Sequence, residues 1–320
     1  MQPYRAPWWL PGGHLQTIYP YFLLRRRPPP YRRERWDIPD GDFIDLDWVN
    51  ADTGSVPLVA LFHGLEGGSA SHYATALMQS VARRGWRGVV VHFRGCSGEP
   101  NRLPRAYHSG DADEIAWILQ RLRSLDRAAP LFAAGVSLGG NALLKWLARD
   151  GVSARAIVDA AAAVSAPVDL MTAGDLLGKG FNRFYGLHFL RTLKAKSLAK
   201  LERFPGLYDA AIVRRARTLR EFDNVVTAPL HGFLDTDDYW RRASSKPELS
   251  RIAVPTLIVH ARNDPFLPGH HLPDVSEVSE HVTLDCPDGG GHTGFASGPF
   301  PGNLEWLPQR LLKFFCANQE

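Results

Sequence analysis

Gly135-Val136-Ser137-Leu138-Gly139 is a G-x-S-x-G pattern set between two runs of different period. Before it, Pro130 to Val136 is a continuous apolar run of strand length; after it, Asn141 to Leu147 is amphipathic at helical spacing. A serine on so tight a strand-to-helix turn adopts a strained backbone, and its hydroxyl is pushed clear of the sheet. Glycines are needed at 135 and 139 because side chains there would collide across the turn. The helix that follows points its N-terminus, with unpaired N–H groups and the positive end of its dipole, at whatever the serine attacks. The blander alternative is a glycine-rich turn whose serine only caps the helix. The rest of the chain decides between the two.

Strand-like and helix-like runs alternate through most of the 320 residues. Arg33 to Val49 reads as a hairpin about the Asp40-Gly41 turn. Pro57 to Phe62, Gly88 to Phe93, Ala154 to Val164, Val254 to His260 and His281 to Leu284 read as further strands. Ser71 to Arg84, Asp111 to Arg123 and Leu304 to Phe315 have helical periodicity. Such alternation predicts an α/β fold with a mostly parallel sheet and helices on both faces. It breaks between Asp169 and Pro247, where Leu190 to Arg203 and Ala210 to Glu221 are helical and of mixed charge. A single domain over residues 1–320 is expected, with a helical cap insertion at about 169–247 and an N-terminal arm at 1–32. The arm's PWWLPGGHLQTIYPY stretch (Pro7 to Tyr21) is so dense in proline, glycine and aromatics that an irregular segment is expected. Burial of its aromatics on the domain is the plainer reading of the arm. Lining the substrate entrance, or weak contact with a membrane surface backed by the arginines behind it, is the sharper one.

Composition narrows the class. The net charge of +4 comes without a long basic stripe interleaved with aromatics, so nucleic acid is not an expected partner. Three cysteines without a C-x-x-C pair argue against a disulfide framework or a cysteine zinc site, and a cytoplasmic setting is expected. No run of about 18 apolar residues suggests a membrane span. With no G-x-G-x-x-G opening the first βα unit and no Walker sequence, no cofactor is expected. His270 and His271 lack a third ligand at metal spacing.

A serine hydroxyl needs a base within hydrogen-bond reach and a third group to orient that base. In a parallel sheet all three belong at the carboxyl ends of strands. Asp264 follows the Val254–His260 strand, and His292 follows the last strand in a glycine-rich loop, Gly289-Gly290-Gly291-His292. Ser137, Asp264, His292 is therefore the expected catalytic set, in that chain order. An oxyanion hole needs two backbone donors. Leu138, directly after the serine, supplies one; Leu65, in the His63-Gly64-Leu65-Glu66-Gly67-Gly68 loop after the Pro57–Phe62 strand, supplies the other. His63 is expected to brace that loop, and His14 to be structural.

The elbow, the His-Gly loop and the Asp264 and His292 positions resemble the α/β-hydrolase superfamily. Pro7-Trp8-Trp9-Leu10-Pro11-Gly12-Gly13-His14-Leu15-Gln16-Thr17, Phe93-Arg94-Gly95-Cys96-Ser97-Gly98 and Tyr107-His108-Ser109-Gly110 resemble, more narrowly, the YheT-like hydrolases. The likeness spans nearly the whole chain. It implies a serine hydrolase acting on carboxylic esters, with eukaryotic relatives that include lipid-cleaving enzymes and acyltransferases. The expected partner is a small-molecule, lipid-like ester of short to medium acyl length. An acyltransferase using an alcohol acceptor and a non-catalytic lipid- or partner-binding scaffold are the alternatives. The Arg94–Gly98 and Tyr107–Gly110 motifs are expected to brace loops beneath the site.

Overall fold

The computed structural model describes residues 2–24 and 26–319. The chain begins with α1 (Gly13–Leu23), followed by β1 (Arg32–Asp37), β2 (Phe43–Val49), β3 (Leu58–Phe62), α2 (His72–Arg83) and β4 (Arg87–His92). Then come α3 (Ala112–Leu125), β5 (Leu131–Val136), α4 (Leu138–Asp150) and β6 (Ala160–Val164). Helices α5 (Leu170–Leu177), α6 (Arg183–Arg203), α7 (Ala210–Arg215), α8 (Leu219–Val225), α9 (Thr227–Leu230) and α10 (Thr236–Ala243) separate β6 from β7 (Thr256–Val259). The chain closes with β8 (Val282–Asp285) and α11 (Trp306–Cys316).

The described strands form one eight-stranded sheet in the order β1-β2-β4-β3-β5-β6-β7-β8. β2 runs antiparallel to both β1 and β4, and every other neighbouring pair is parallel. Strands β3, β5 and β6 are buried at every position, as expected of a sheet covered on both faces. Side chains alternate between two cores, following the two-residue period of a strand. Leu58, Ala60 and Phe62 pack with Ile115 of α3 and Leu143 of α4. Val59 and Leu61 pack with Leu77 of α2 and Leu311 of α11.

Three sequence expectations need correction. The N-terminal segment is not irregular throughout: Gly13–Leu23 is an α-helix with Pro20 inside it. Propensity is overridden by packing here. Gly13 lies so close to the Asn263 carbonyl oxygen that a Cβ would sit 2.0 Å from it. Pro20 removes only the hydrogen bond that Gln16's carbonyl would have received. The strand expected over Ala154–Val164 is confined to β6, because Gly151–Ala156 winds as a 3₁₀ turn. Ala210 to Glu221 is two helices rather than one. Thr218 is extended and caps α8 by accepting the Glu221 N–H.

Candidate active site

Four loops meet at the carboxyl ends of the parallel strands. β5 ends at Val136 and α4 starts at Leu138, so Ser137 alone makes the turn, with φ 53° and ψ −121°. A positive φ in a non-glycine residue is the strain the motif implies. The Ser137 N–H donates to the Val164 carbonyl at 2.8 Å, tying the turn to β6. A Cβ at 135 would lie 2.5 Å from the Gly139 carbonyl oxygen, and one at 139 would lie 2.5 Å from those of Phe62 and His63. Only glycine lets α4 start this close to β3.

The loops after β7 and β8 bring Asp264 and His292 to this serine. His292 Nδ1 is 2.8 Å from Asp264 Oδ2, and His292 Nε2 is 3.0 Å from Ser137 Oγ. An ionised carboxylate only accepts, so Nδ1 carries the proton and Nε2 is left to accept from the serine hydroxyl. Asp264 is 1% exposed. Burial alone would raise its pKa. The nearby His292 and contacts from His260 outweigh burial and hold the carboxyl well below the usual carboxylate range. Its Oδ1 accepts the Phe266 N–H at 2.8 Å, and His260 Nε2 lies 3.2 Å from Oδ2. The Phe266 ring stacks on the imidazole with centroids 4.0 Å apart, covering one face of it.

The loop after β3 spends four of its N–H groups on its own support. Gly64 donates to Tyr73 Oη at 2.8 Å, Glu66 to Tyr107 Oη at 2.9 Å, Gly67 to the Gly64 carbonyl at 2.9 Å and Gly68 to Ser71 Oγ at 3.2 Å. Among the described residues Leu65 N–H, beside them, donates to none of these groups, and the Leu138 N–H at the first turn of α4 is likewise undonated. Both residues line, with Ser137 and His292, a cavity of about 660 Å³. The helical insertion supplies much of its lining: apolar Leu177, Phe189, Phe222, Val226 and Trp240, with Lys196, Lys200 and Asp223 among them. A hydroxyl on the accepting nitrogen of an imidazole, beside two free N–H donors and an apolar cavity, is arranged for acyl transfer.

Residues 57–299 match the family model described as the alpha/beta hydrolase fold. The chain belongs to the α/β-hydrolase family. It is 43% identical to the Escherichia coli (strain K12) protein named "Putative esterase YheT", over 93% of this chain and 88% of that one. It is 30% identical to human phospholipase ABHD3, over 98% of this chain and 78% of the relative. Among solved structures it is similar to Est1E of Butyrivibrio proteoclasticus, determined with ferulic acid bound. That likeness has a TM-score of 0.58 at 18% identity, covers 91% of this chain and 99% of the other, and bears on the fold alone.

In this α/β hydrolase the bracing read for His63 is present. Its Nε2 accepts the Phe93 N–H at 3.1 Å, and its Nδ1–H donates to the Gly64 carbonyl at 2.7 Å. Burial pushes this imidazole down to about 3, so it is neutral. The two YheT-like motifs brace as well. Arg94 is buried between Glu114 (2.6 Å), Asp40 (2.8 Å) and Asp42 (3.2 Å). Tyr107 Oη donates to the Glu66 carboxylate at 2.9 Å while accepting that residue's N–H, which fixes Glu66 at φ 56° next to Leu65. His14 is exposed and bonds Tyr185 Oη at 3.1 Å.

Reading the sequence missed the residues of α1 that hold the histidine loop. Gln16 Oε1 accepts the Gly290 N–H at 2.7 Å and Asn263 Nδ2–H at 2.9 Å. Thr17 Oγ1 accepts the N–H of His292 itself at 2.8 Å. Asn263 Oδ1 accepts the Gly291 N–H at 3.0 Å. The one signal was the Gly-Gly-His-Leu-Gln-Thr run at the head of this helix, which carried the family resemblance without disclosing its partner.

Proposed function

We propose that this chain is a cofactor-free serine carboxylesterase working through an acyl-enzyme on Ser137. The observation that carries the reading is the unbroken line Asp264–His292–Ser137, with bonds of 2.8 and 3.0 Å, ending at the apolar cavity. Ser137 Oγ attacks the ester carbonyl carbon as its proton passes to His292 Nε2. The Leu65 and Leu138 N–H groups hold the oxyanion, and Asp264 orients His292 and stabilises its imidazolium. Collapse breaks the bond to the alcohol oxygen, which leaves with the proton from His292. Water, deprotonated by the same nitrogen, then attacks the acyl-enzyme and frees the acid. The names of the relatives, an esterase and a phospholipase, support carboxylic esters as the substrate class. The cavity volume suits short to medium acyl chains. In this reading the whole chain is one domain, residues 169–247 cap the site, and the arm at 1–32 supports it.

The test combines fluorophosphonate labelling with turnover of p-nitrophenyl esters of increasing acyl length. Wild type should label, and Ser137→Ala should lose labelling and about 10⁴-fold or more of kcat. Undiminished turnover in Ser137→Ala, or no labelling of wild type, would discard the reading.

A further inference from the structure

Two stretches of the sequence carry basic residues and no acids. Gln2 to Arg33 and Leu176 to Leu201 each hold six Lys or Arg and not one Asp or Glu, although Arg26, Arg32, Arg33 and Lys196 are paired in the fold with Glu305, Glu34, Asp47 and Glu66. They are far apart in the chain and meet in the fold. The His14 ring of α1 lies 4.6 Å from Phe181, just ahead of α6, and Tyr21 of α1 lies 6.1 Å from His188 of α6. Large apolar side chains stand in solvent at this junction: Leu15 is 51% exposed, Phe22 60%, Phe181 49%, Phe184 66% and Leu187 48%, with Trp8 of the arm at 91%. Single exposed apolar residues are ordinary on any surface, but a concentration of this kind is not. Lys179, Arg183 and Arg191 stand among them, with no carboxylate at ion-pair distance among the described residues.

The surface also leads inward. Tyr185 of α6 contacts Phe266 with centroids 4.9 Å apart, and Phe266 is the ring stacked on His292. An aromatic path thus runs from the exposed junction to the site. A second protein would need to match these exposed apolar side chains and the three cations of Lys179, Arg183 and Arg191 among them. A bilayer bearing anionic headgroups matches them without further shape requirements, taking the aromatics at headgroup depth and the cations at the phosphates.

We propose that α1 and the first half of α6 form a docking surface for anionic phospholipid bilayers, which sets the cavity mouth at the lipid. Docking does not depend on Ser137 being a nucleophile, so it is measured in Ser137→Ala as well as in wild type. The experiment is co-sedimentation with vesicles of phosphatidylcholine alone and of phosphatidylcholine with phosphatidylglycerol. Turnover of a soluble p-nitrophenyl ester is measured alongside. Both proteins should sediment with the anionic vesicles, and about tenfold less with neutral ones or at about 0.5 M NaCl. Phe181→Ser/Phe184→Ser and Arg183→Glu/Arg191→Glu should each reduce partitioning at least about tenfold while keeping soluble-ester turnover and melting temperature. Failure of wild type to sediment with either vesicle would overturn the proposal. So would variants that bind as wild type does. A wild-type dimer that Phe181→Ser/Phe184→Ser makes monomeric, with no vesicle binding, would assign the surface to self-association and overturn it too.

Discussion

Thr17 works both ends of one hydroxyl: it donates to the Gly13 carbonyl at 2.7 Å and accepts the His292 N–H at 2.8 Å. Removing the acceptor leaves a buried N–H without a partner, at a cost of about 1–3 kcal/mol, in the residue whose position matters most. Thr17→Val is therefore expected to lower kcat on p-nitrophenyl esters about tenfold with little change in KM, and Thr17→Ser to restore it. Equal kcat in Thr17→Val and wild type would deny the positioning role. The same contrast explains what was legible at this scale. Ser137 announces itself through glycines on either side, and Asp264 and His292 by following strand-like runs. Tyr107 stood in a motif expected to brace, but Gln16 and Thr17 act through space on a loop far along the chain. Nothing in their immediate neighbours records that.

Among elements, the 63–68 loop depends on the protonation of His63. His63 accepts from Phe93 N–H through Nε2; a proton there would set two donors face to face. Its folded pKa of about 3 lies below the ordinary 6.5, so between these values the unfolded chain binds the proton and the folded chain does not. The contribution of this residue to stability is complete above about 6.5 and is lost as pH falls toward 3. Glu114 and Asp223, pushed up by burial to about 7 and about 6, act in the opposite sense over the same range. The informative quantity is therefore a difference. The unfolding free energy of wild type minus that of His63→Asn should grow with pH between 3 and 6.5, by up to about 1.4 kcal/mol per unit, and then level off. Urea titrations at several pH values measure it, and a difference independent of pH would contradict the assignment. Helix α1 is the element the sequence hid best. Its glycines and proline read as breakers, whereas in the fold they permit close approach to Asn263 and sacrifice one hydrogen bond.

At the scale of the molecule, the sheet was readable because parallel strands buried on both faces are continuous apolar runs with helices between them. The insertion was harder to bound. Helix α6 turns Phe189 and Leu193 to the cavity, Lys196 to Glu66 at 2.9 Å and Phe184 to solvent, so no single apolar stripe marks its start. Deleting residues 1–24 should abolish fluorophosphonate labelling although Ser137, Asp264 and His292 all remain. Retained labelling would show that α1 is dispensable.

The bonds from Gln16 and Thr17 to Gly290 and His292 join residues separated by 274 and 275 positions. During synthesis α1 is made well before the loop that it holds. Until that loop is made the serine elbow can form, but the imidazole that lies beside it in the fold has not been made. The pairing of α1 with this loop thus orders assembly along the chain. A nascent chain that has passed Asp264 but not yet reached residue 292 holds Ser137 and Asp264 without the ring that joins them in the fold.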